Sequence, residues 1–126
     1  RELECGIIGN FKLSSSEIGE IYYSKDWYDY DSKYSMDNQI IIPAKVDSQI
    51  SEQIKKLSIL SCRSLNIYGY ARVDFFLEKI SNKLFLNEIN TIPGFTSNSM
   101  FPMLWKASGL NIDQLVAKLI DISLGY

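Results

Sequence analysis

The chain has 126 residues, of which 46% are apolar and 22% charged, and a formal charge of −2. This is one domain's worth of length with enough apolar content for a packed core; disorder would need low hydrophobicity and high net charge. The slight acidity gives no bulk attraction to nucleic acid or an anionic membrane, and no apolar run approaches the ~20 residues of a membrane span.

Arg1-Glu2-Leu3-Glu4 has no signal-segment layout and no initiator Met, so it reads as a cut end. Residues 4–9 and 18–23 read as short strands. Residues 24–38 are polar and aromatic without clear period and read as a long surface loop. A brief strand over 39–42 ends at Pro43. Residues 47–65 read as a helix capped by Asp47 or Ser48, with Ile50, Ile54, Leu57 and Leu65 on one stripe. Residues 69–78 and 84–90 read as two strands around the turn Ser81-Asn82-Lys83, and a loop over 91–99 leads into a short helix ending near Gly109. The last helix starts at Asn111, with Gln114 completing a capping box, Leu110 and Leu115 spaced for a hydrophobic staple, and Leu115, Leu119 and Ile122 as its buried stripe. The expected class is α+β, a mainly antiparallel sheet with helices packed on one face.

The chain contains no His, which excludes a Ser-His-Asp triad, a Cys-His dyad and His-ligated zinc. Cys5 and Cys62 stand 57 positions apart and form neither a CxxC site nor a disulfide framework. Buried, reduced thiols suit a cytoplasmic chain. Chemistry therefore rests on carboxylates, Lys, Arg, Tyr, Ser, backbone N–H groups and a hard, oxygen-liking metal.

The 69–90 hairpin concentrates those groups. Strand alternation puts Arg72, Asp74 and Phe76 on one face, and Leu86, Glu88 and Asn90 on one face of the partner strand. A turn centred on Ser81 sets Asp74 opposite Glu88 and Arg72 opposite Asn90. Like charges directly opposed destabilise the pair, and a Mg²⁺ ion held by Asp74, Glu88 and Asn90 would reconcile them, with Arg72 as a phosphate donor. The same residues also suit a solvated face on which Arg72 pairs with Asp74 or Glu88. Residues 90–99, Asn90-Thr91-Ile92-Pro93-Gly94-Phe95-Thr96-Ser97-Asn98-Ser99, suit an anion site at a helix start and equally a Pro-Gly turn capped by Ser97 or Asn98. Trp27-Tyr28-Asp29-Tyr30-Asp31-Ser32-Lys33-Tyr34 suits a lid over a phosphorylated ligand, or a plain solvated aromatic loop.

Taken in order, Tyr28-Asp29-Tyr30-x-x-Lys33-Tyr34, Ala71-Arg72-Val73-Asp74 and Asn87-Glu88-Ile89-Asn90-Thr91-Ile92-Pro93-Gly94-Phe95-Thr96-Ser97-x-Ser99 resemble the C-terminal part of D-alanine–D-alanine ligases, in the ATP-grasp superfamily. Glu2 and Leu104-Trp105-Lys106-Ala107-Ser108-Gly109-Leu110 fit as well, so the resemblance runs over nearly the whole chain. It implies that ATP phosphorylates the carboxylate of one D-alanine. The amine of a second then attacks the acyl phosphate, and the dipeptide enters peptidoglycan precursors for the cell wall.

The resemblance also implies roles. Asp74, Glu88 and Asn90 hold two Mg²⁺ ions, with Mn²⁺ as a substitute. Arg72 stabilises the acyl phosphate, Gly94 donates its N–H to the oxyanion, and Tyr34 closes the lid. Lys33 contacts the terminal phosphate of ATP, Glu2 the ribose, and Trp27 and Phe76 wall the adenine. Ser99 and the N–H of Met100 receive the acceptor's carboxylate. Asp31-Ser32 stands where Glu-Ala is commoner, and Trp27 where Phe is usual. Lys33-Tyr34 without any His favours an amino-acid acceptor, D-alanine or D-serine. The expectation is one C-terminal ATP-grasp subdomain over 1–126, part of a longer and commonly dimeric ligase and inactive alone. A remnant that binds nucleotide without catalysis is the competing reading, and it should have lost at least one of the three metal ligands.

Overall fold

A computed structural model describes residues 1–23 and 39–125. Its strands are β1 (Glu2–Gly9), β2 (Leu13–Tyr22), β3 (Gln39–Ile41), β4 (Gly69–Leu77) and β5 (Leu84–Asn90). Among the described residues they form a five-stranded sheet in the order β3-β2-β1-β4-β5, antiparallel at every pairing. The helices are α1 (Ser48–Ser64), α2 (Met100–Ala107) and α3 (Ile112–Ser123). The α+β class and the antiparallel sheet are as expected. The 24–38 loop lies outside the described residues.

β2 begins earlier than its apolar pattern suggests. Ser14 and Ser15 pair with Ile8 and Ile7, but a serine run carries no apolar alternation and hides the strand. The β1–β2 ladder is irregular between Cys5 and Ile7, and there the Gly6 N–H donates to Ser16 Oγ at 2.8 Å.

β1 is buried on both faces, and this divides the core in two. Leu3, Cys5, Ile7, Ala71, Val73, Phe75 and Leu77 meet Ile50, Ile54 and Cys62 of α1. Ile8 and Tyr70, on the opposite face, meet Phe101 and Trp105 of α2 and Leu115 and Ile122 of α3. The helices therefore occupy both faces rather than one. The reason lies in two glycines that leave room for α2: a Cβ on Gly6 would lie 2.7 Å from Trp105 Nε1, and one on Gly19 would lie 2.8 Å from Leu104 Cδ2 and Met100 Sδ. Burying each large apolar side chain contributes about 1.5–3 kcal/mol, so both layers hold the sheet.

The helix ends follow the sequence. Asp47 accepts from the Ile50 N–H at 2.8 Å. Asn111 and Gln114 cap each other reciprocally, at 3.0 Å and 2.9 Å. The α1 stripe differs: Ser58 and Cys62 are buried with Ile50 and Ile54, while Leu65 is exposed. Leu65 is the C-cap, past the last turn that faces the sheet.

Cys5 and Cys62 are both fully buried, and burial pushes each thiol up to about 11. Unfolding exposes thiols that ionise near 9, so their neutral burial stabilises the fold below that pH, and the contribution is lost as pH rises through about 11. Neither thiol should react with an aromatic disulfide reagent in the native chain at about pH 8, and both should react in denaturant. Rapid reaction of a native thiol would refute this placement.

Candidate functional site

The face that carries Ile8 and Tyr70 at one end is polar at the other. Alternation along β1 brings Glu2 and Glu4 to it, and β4 contributes Arg72, Asp74 and Phe76. Pairing sets Glu2 opposite Phe76, Glu4 opposite Asp74, and Gly6 opposite Arg72. On the other side of β4, Asp74 faces Glu88 and Arg72 faces Asn90.

That second register depends on a bulge. Near the turn, Phe75 pairs with Leu86 and Leu77 with Leu84. Continued without interruption, this ladder would set Asp74 opposite Asn87. An irregularity between Asp74 and Phe75 takes up Asn87 and moves Glu88 into the opposing position. The turn is offset from the assumed centre at Ser81, and the bulge restores the expected pairing where it matters.

Arg72 is committed to Asp74: its Nε–H donates to Oδ1 at 2.7 Å and Nη2 to Oδ2 at 2.8 Å. Glu4 Oε2 lies 3.0 Å from the same Nε. The single Nε hydrogen points at Asp74, however, so among the described residues this buried Glu4 oxygen receives no hydrogen bond. Burial first, and then the Asp74 charge, push the Glu4 carboxyl up to about 7, against the pull of Arg72. Tyr23 OH donates to Glu2 Oε2 at 3.1 Å, and burial together with Glu2 pushes its phenol up to about 12.

The loop after β5 builds the adjoining corner. Asn90 Oδ1 accepts the Ile92 N–H at 3.0 Å. Ser99, rather than Ser97 or Asn98, is the N-cap residue of α2, and its side chain makes no cap hydrogen bond. Its Oγ instead accepts the Thr96 N–H at 3.0 Å and meets Thr96 Oγ1 at 2.7 Å. Gly94 sits against it, since a Cβ there would lie 3.0 Å from Ser99 Oγ. The Met100 side chain is buried toward Gly19, which leaves only its backbone for a ligand.

The structure thus gathers Arg72, Asp74, Glu88 and Asn90 on one face, with Glu2 and Phe76 beside them, and sets Gly94 next to Ser99 and Met100. Trp27, Lys33 and Tyr34 lie outside the described residues. Sequence reasoning missed Glu4 and Tyr23. Glu4 could have been found from its alternation with Glu2 in an otherwise apolar strand; the Tyr23–Glu2 contact has no spacing signal.

The D-ala D-ala ligase C-terminus family model matches residues 1–121. The chain belongs to the D-alanine–D-alanine ligase family. It is 85% identical over 123 residues to a D-alanine–D-alanine ligase of Prochlorococcus marinus subsp. pastoris, covering 98% of this chain and 35% of that protein. A second relative, from Prochlorococcus marinus strain SARG, is 53% identical over 96% of this chain. The chain thus spans about a third of the curated relatives it matches, as the C-terminal part of a family member. Among solved structures, the D-alanine-D-alanine ligase from Coxiella burnetii superposes with a TM-score of 0.83 at 34% identity, over 99% of this chain and 32% of that one. The VanG D-Ala:D-Ser ligase from Enterococcus faecalis gives the same TM-score and identity, over 96% of this chain and 35% of its own.

The ligase family uses ATP, and the donor set here suits a divalent cation with it. Among the described residues no three acidic or thiol side chains converge on one point. Mg²⁺ does not require that, since it takes one or two protein carboxylates and fills its shell with phosphate oxygens and water. Opposed Asp74 and Glu88, with the Asn90 amide nearby, supply such a set. Three carboxylates, Glu4, Asp74 and Glu88, stand around the one guanidinium of Arg72, and a cation would offset that excess. Among the described residues, no helix is long and apolar enough to cross a membrane.

Proposed function

We propose that this chain is the metal-, oxyanion- and acceptor-binding part of a longer cytoplasmic, homodimeric ligase. The reaction is ATP-dependent joining of two D-alanines to D-alanyl-D-alanine for peptidoglycan precursors. Residues 1–126 are read as one C-terminal ATP-grasp subdomain. The observation that carries the reading is the bulged register that opposes Asp74 to Glu88 and Arg72 to Asn90, in a chain whose relatives are named for this ligation.

Two steps are involved. The carboxylate of the first D-alanine takes the terminal phosphoryl group of ATP, giving an acyl phosphate and ADP. The amine of the second attacks the acyl carbon, forms the peptide bond and releases phosphate. Both steps demand charge neutralisation and alignment more than a protein nucleophile, in keeping with a chain that has no His.

Mg²⁺, held by Asp74, Glu88 and Asn90, would draw charge from the phosphates. Arg72 offers a guanidinium to the phosphoryl oxygens, and Gly94 offers a backbone N–H to the oxygen that becomes anionic on attack. Ser99 and the Met100 N–H orient the acceptor's carboxylate at the start of α2, where backbone dipoles favour an anion. Glu2, positioned by Tyr23, meets the ribose, and Phe76 forms one wall for the adenine. Trp27, Lys33 and Tyr34 are assigned to the adenine wall, the terminal phosphate and the lid on the resemblance alone.

The deciding assay incubates a complete ligase carrying this domain with Mg-ATP and D-alanine, with and without D-serine, and identifies products by mass. D-alanyl-D-alanine as the main product supports the reading, and a dominant D-alanyl-D-serine product would change the acceptor. Mg-dependent ATP binding with no dipeptide would replace ligation by a nucleotide-binding remnant. The 126-residue chain alone should make no dipeptide.

A further inference from the structure

Under the proposed function the Arg72–Asp74 pair has two duties that conflict. Arg72 places both its Nε–H and an Nη2–H on Asp74, yet Asp74 is to offer its oxygens to a divalent cation. An oxygen bound to a cation is a poorer hydrogen-bond acceptor, and a guanidinium that loses the carboxylate it is hydrogen-bonded to gains rotamer freedom and loses aim.

A second acceptor is already in place. Glu4 is 5% exposed, and among the described residues its buried Oε2 has no hydrogen bond. The oxygen lies 3.0 Å from Arg72 Nε, within hydrogen-bond distance of the one atom whose hydrogen is engaged elsewhere. Glu4's cross-strand neighbour on the other side is Gly19, whose open space is filled by Leu104 and Met100, and the Tyr23 hydroxyl donates to Glu2. A buried carboxylate oxygen without a partner is costly. The cost here sits beside the guanidinium that the reaction needs held still.

We propose that Glu4 is a positioning residue for Arg72: when Asp74 releases the Arg72 Nε–H, Glu4 Oε2 accepts it, and the guanidinium keeps its place while the Asp74 carboxylate serves another cation. The proposal rests on the function above only for what draws Asp74 away. The handover itself follows from the β1–β4 register and needs a small turn of the guanidinium that brings its Nε–H toward an oxygen already within reach.

The test follows the Arg72 Nε–H by NMR in the chain labelled at arginine nitrogen, which contains three arginines, with Arg72→Lys assigning the signal. In Asp74→Ala the Nε–H stays protected from exchange with water. In the Glu4→Leu, Asp74→Ala double variant it exchanges about tenfold faster or more, the factor that one charge-assisted hydrogen bond supplies. Glu4→Gln in the Asp74→Ala background keeps part of the protection through its amide oxygen. Thermal unfolding shows that each variant is folded. Equal exchange in Asp74→Ala and the double variant would overturn the proposal.

A second arm uses a complete ligase. Glu4→Leu there lowers kcat by roughly tenfold or more and leaves the KM for ATP nearly unchanged, as expected when the partner of a reacting group is lost. An unchanged kcat overturns the proposal. Absence of ligation in the unsubstituted ligase defeats the functional reading instead, and the NMR arm still decides the role of Glu4.

Discussion

Asp74→Asn in a complete ligase carrying this domain should lower dipeptide synthesis by roughly 10²–10³-fold, the usual cost of removing one preorganised electrostatic contact to a reacting centre. Asn keeps the size of the side chain and one acceptor oxygen, so the loss reports charge rather than shape. The fold should survive: Asp74 stands at the polar end of its face, outside both buried clusters, and Arg72 retains Glu4 within 3.0 Å. The substitution should also move Glu4. Burial is the first cause of its raised pKa and remains, but the Asp74 charge is the second and disappears. The carboxyl should therefore titrate below its value of about 7 while staying above the ordinary carboxylate range. Turnover within a few-fold of the parent enzyme would remove Asp74 from the metal set.

Phe101→Ala should cost about 3–5 kcal/mol, the range for deleting a fully buried aromatic ring. Phe101 has no exposed surface, and its ring centroid lies 5.8 Å from Tyr70, 5.9 Å from Phe95 and 6.5 Å from Trp105. For a domain of this size, that loss lowers Tm by roughly 10–20 °C. The site should suffer as well, because Phe101 directly follows Ser99 and Met100 at the start of α2, and a helix that settles into the cavity carries both with it. Phe101→Leu should lose considerably less, since most of the volume is kept. Calorimetry on both variants checks the order, and a loss below about 1 kcal/mol for Phe101→Ala would show that the second cluster is not the core it is taken to be.

Much of this fold was legible in the residues because the signals are local. The capping box at Asn111 and Gln114, the cap at Asp47 and the alternation of Gly69–Leu77 depend on neighbours within a few positions. The hairpin pairing of Asp74 with Glu88 was reached through a turn centred on Ser81. The structure arrives at the same pairing through an offset turn and a bulge at Asn87, and no local pattern announces a bulge. The first half of β2 was hidden because serines pair through the backbone as well as any residue while showing no apolar period.

The sequence by itself determined the order and type of most elements, the lack of any His-based chemistry within these 126 residues, and the family, through motifs whose residues and spacing stand in the chain as written. Only the tertiary structure decided that helices cover both faces of the sheet, since the clearances at Gly6 and Gly19 exist only once α2 lies across β1 and β2. It alone showed that Glu4, 68 positions earlier in the chain, comes within 3.0 Å of Arg72. Hydrogen bonds within a turn or a helix are set by spacing along the chain, whereas burial and charge pairing between strands depend on which surfaces the whole fold brings together.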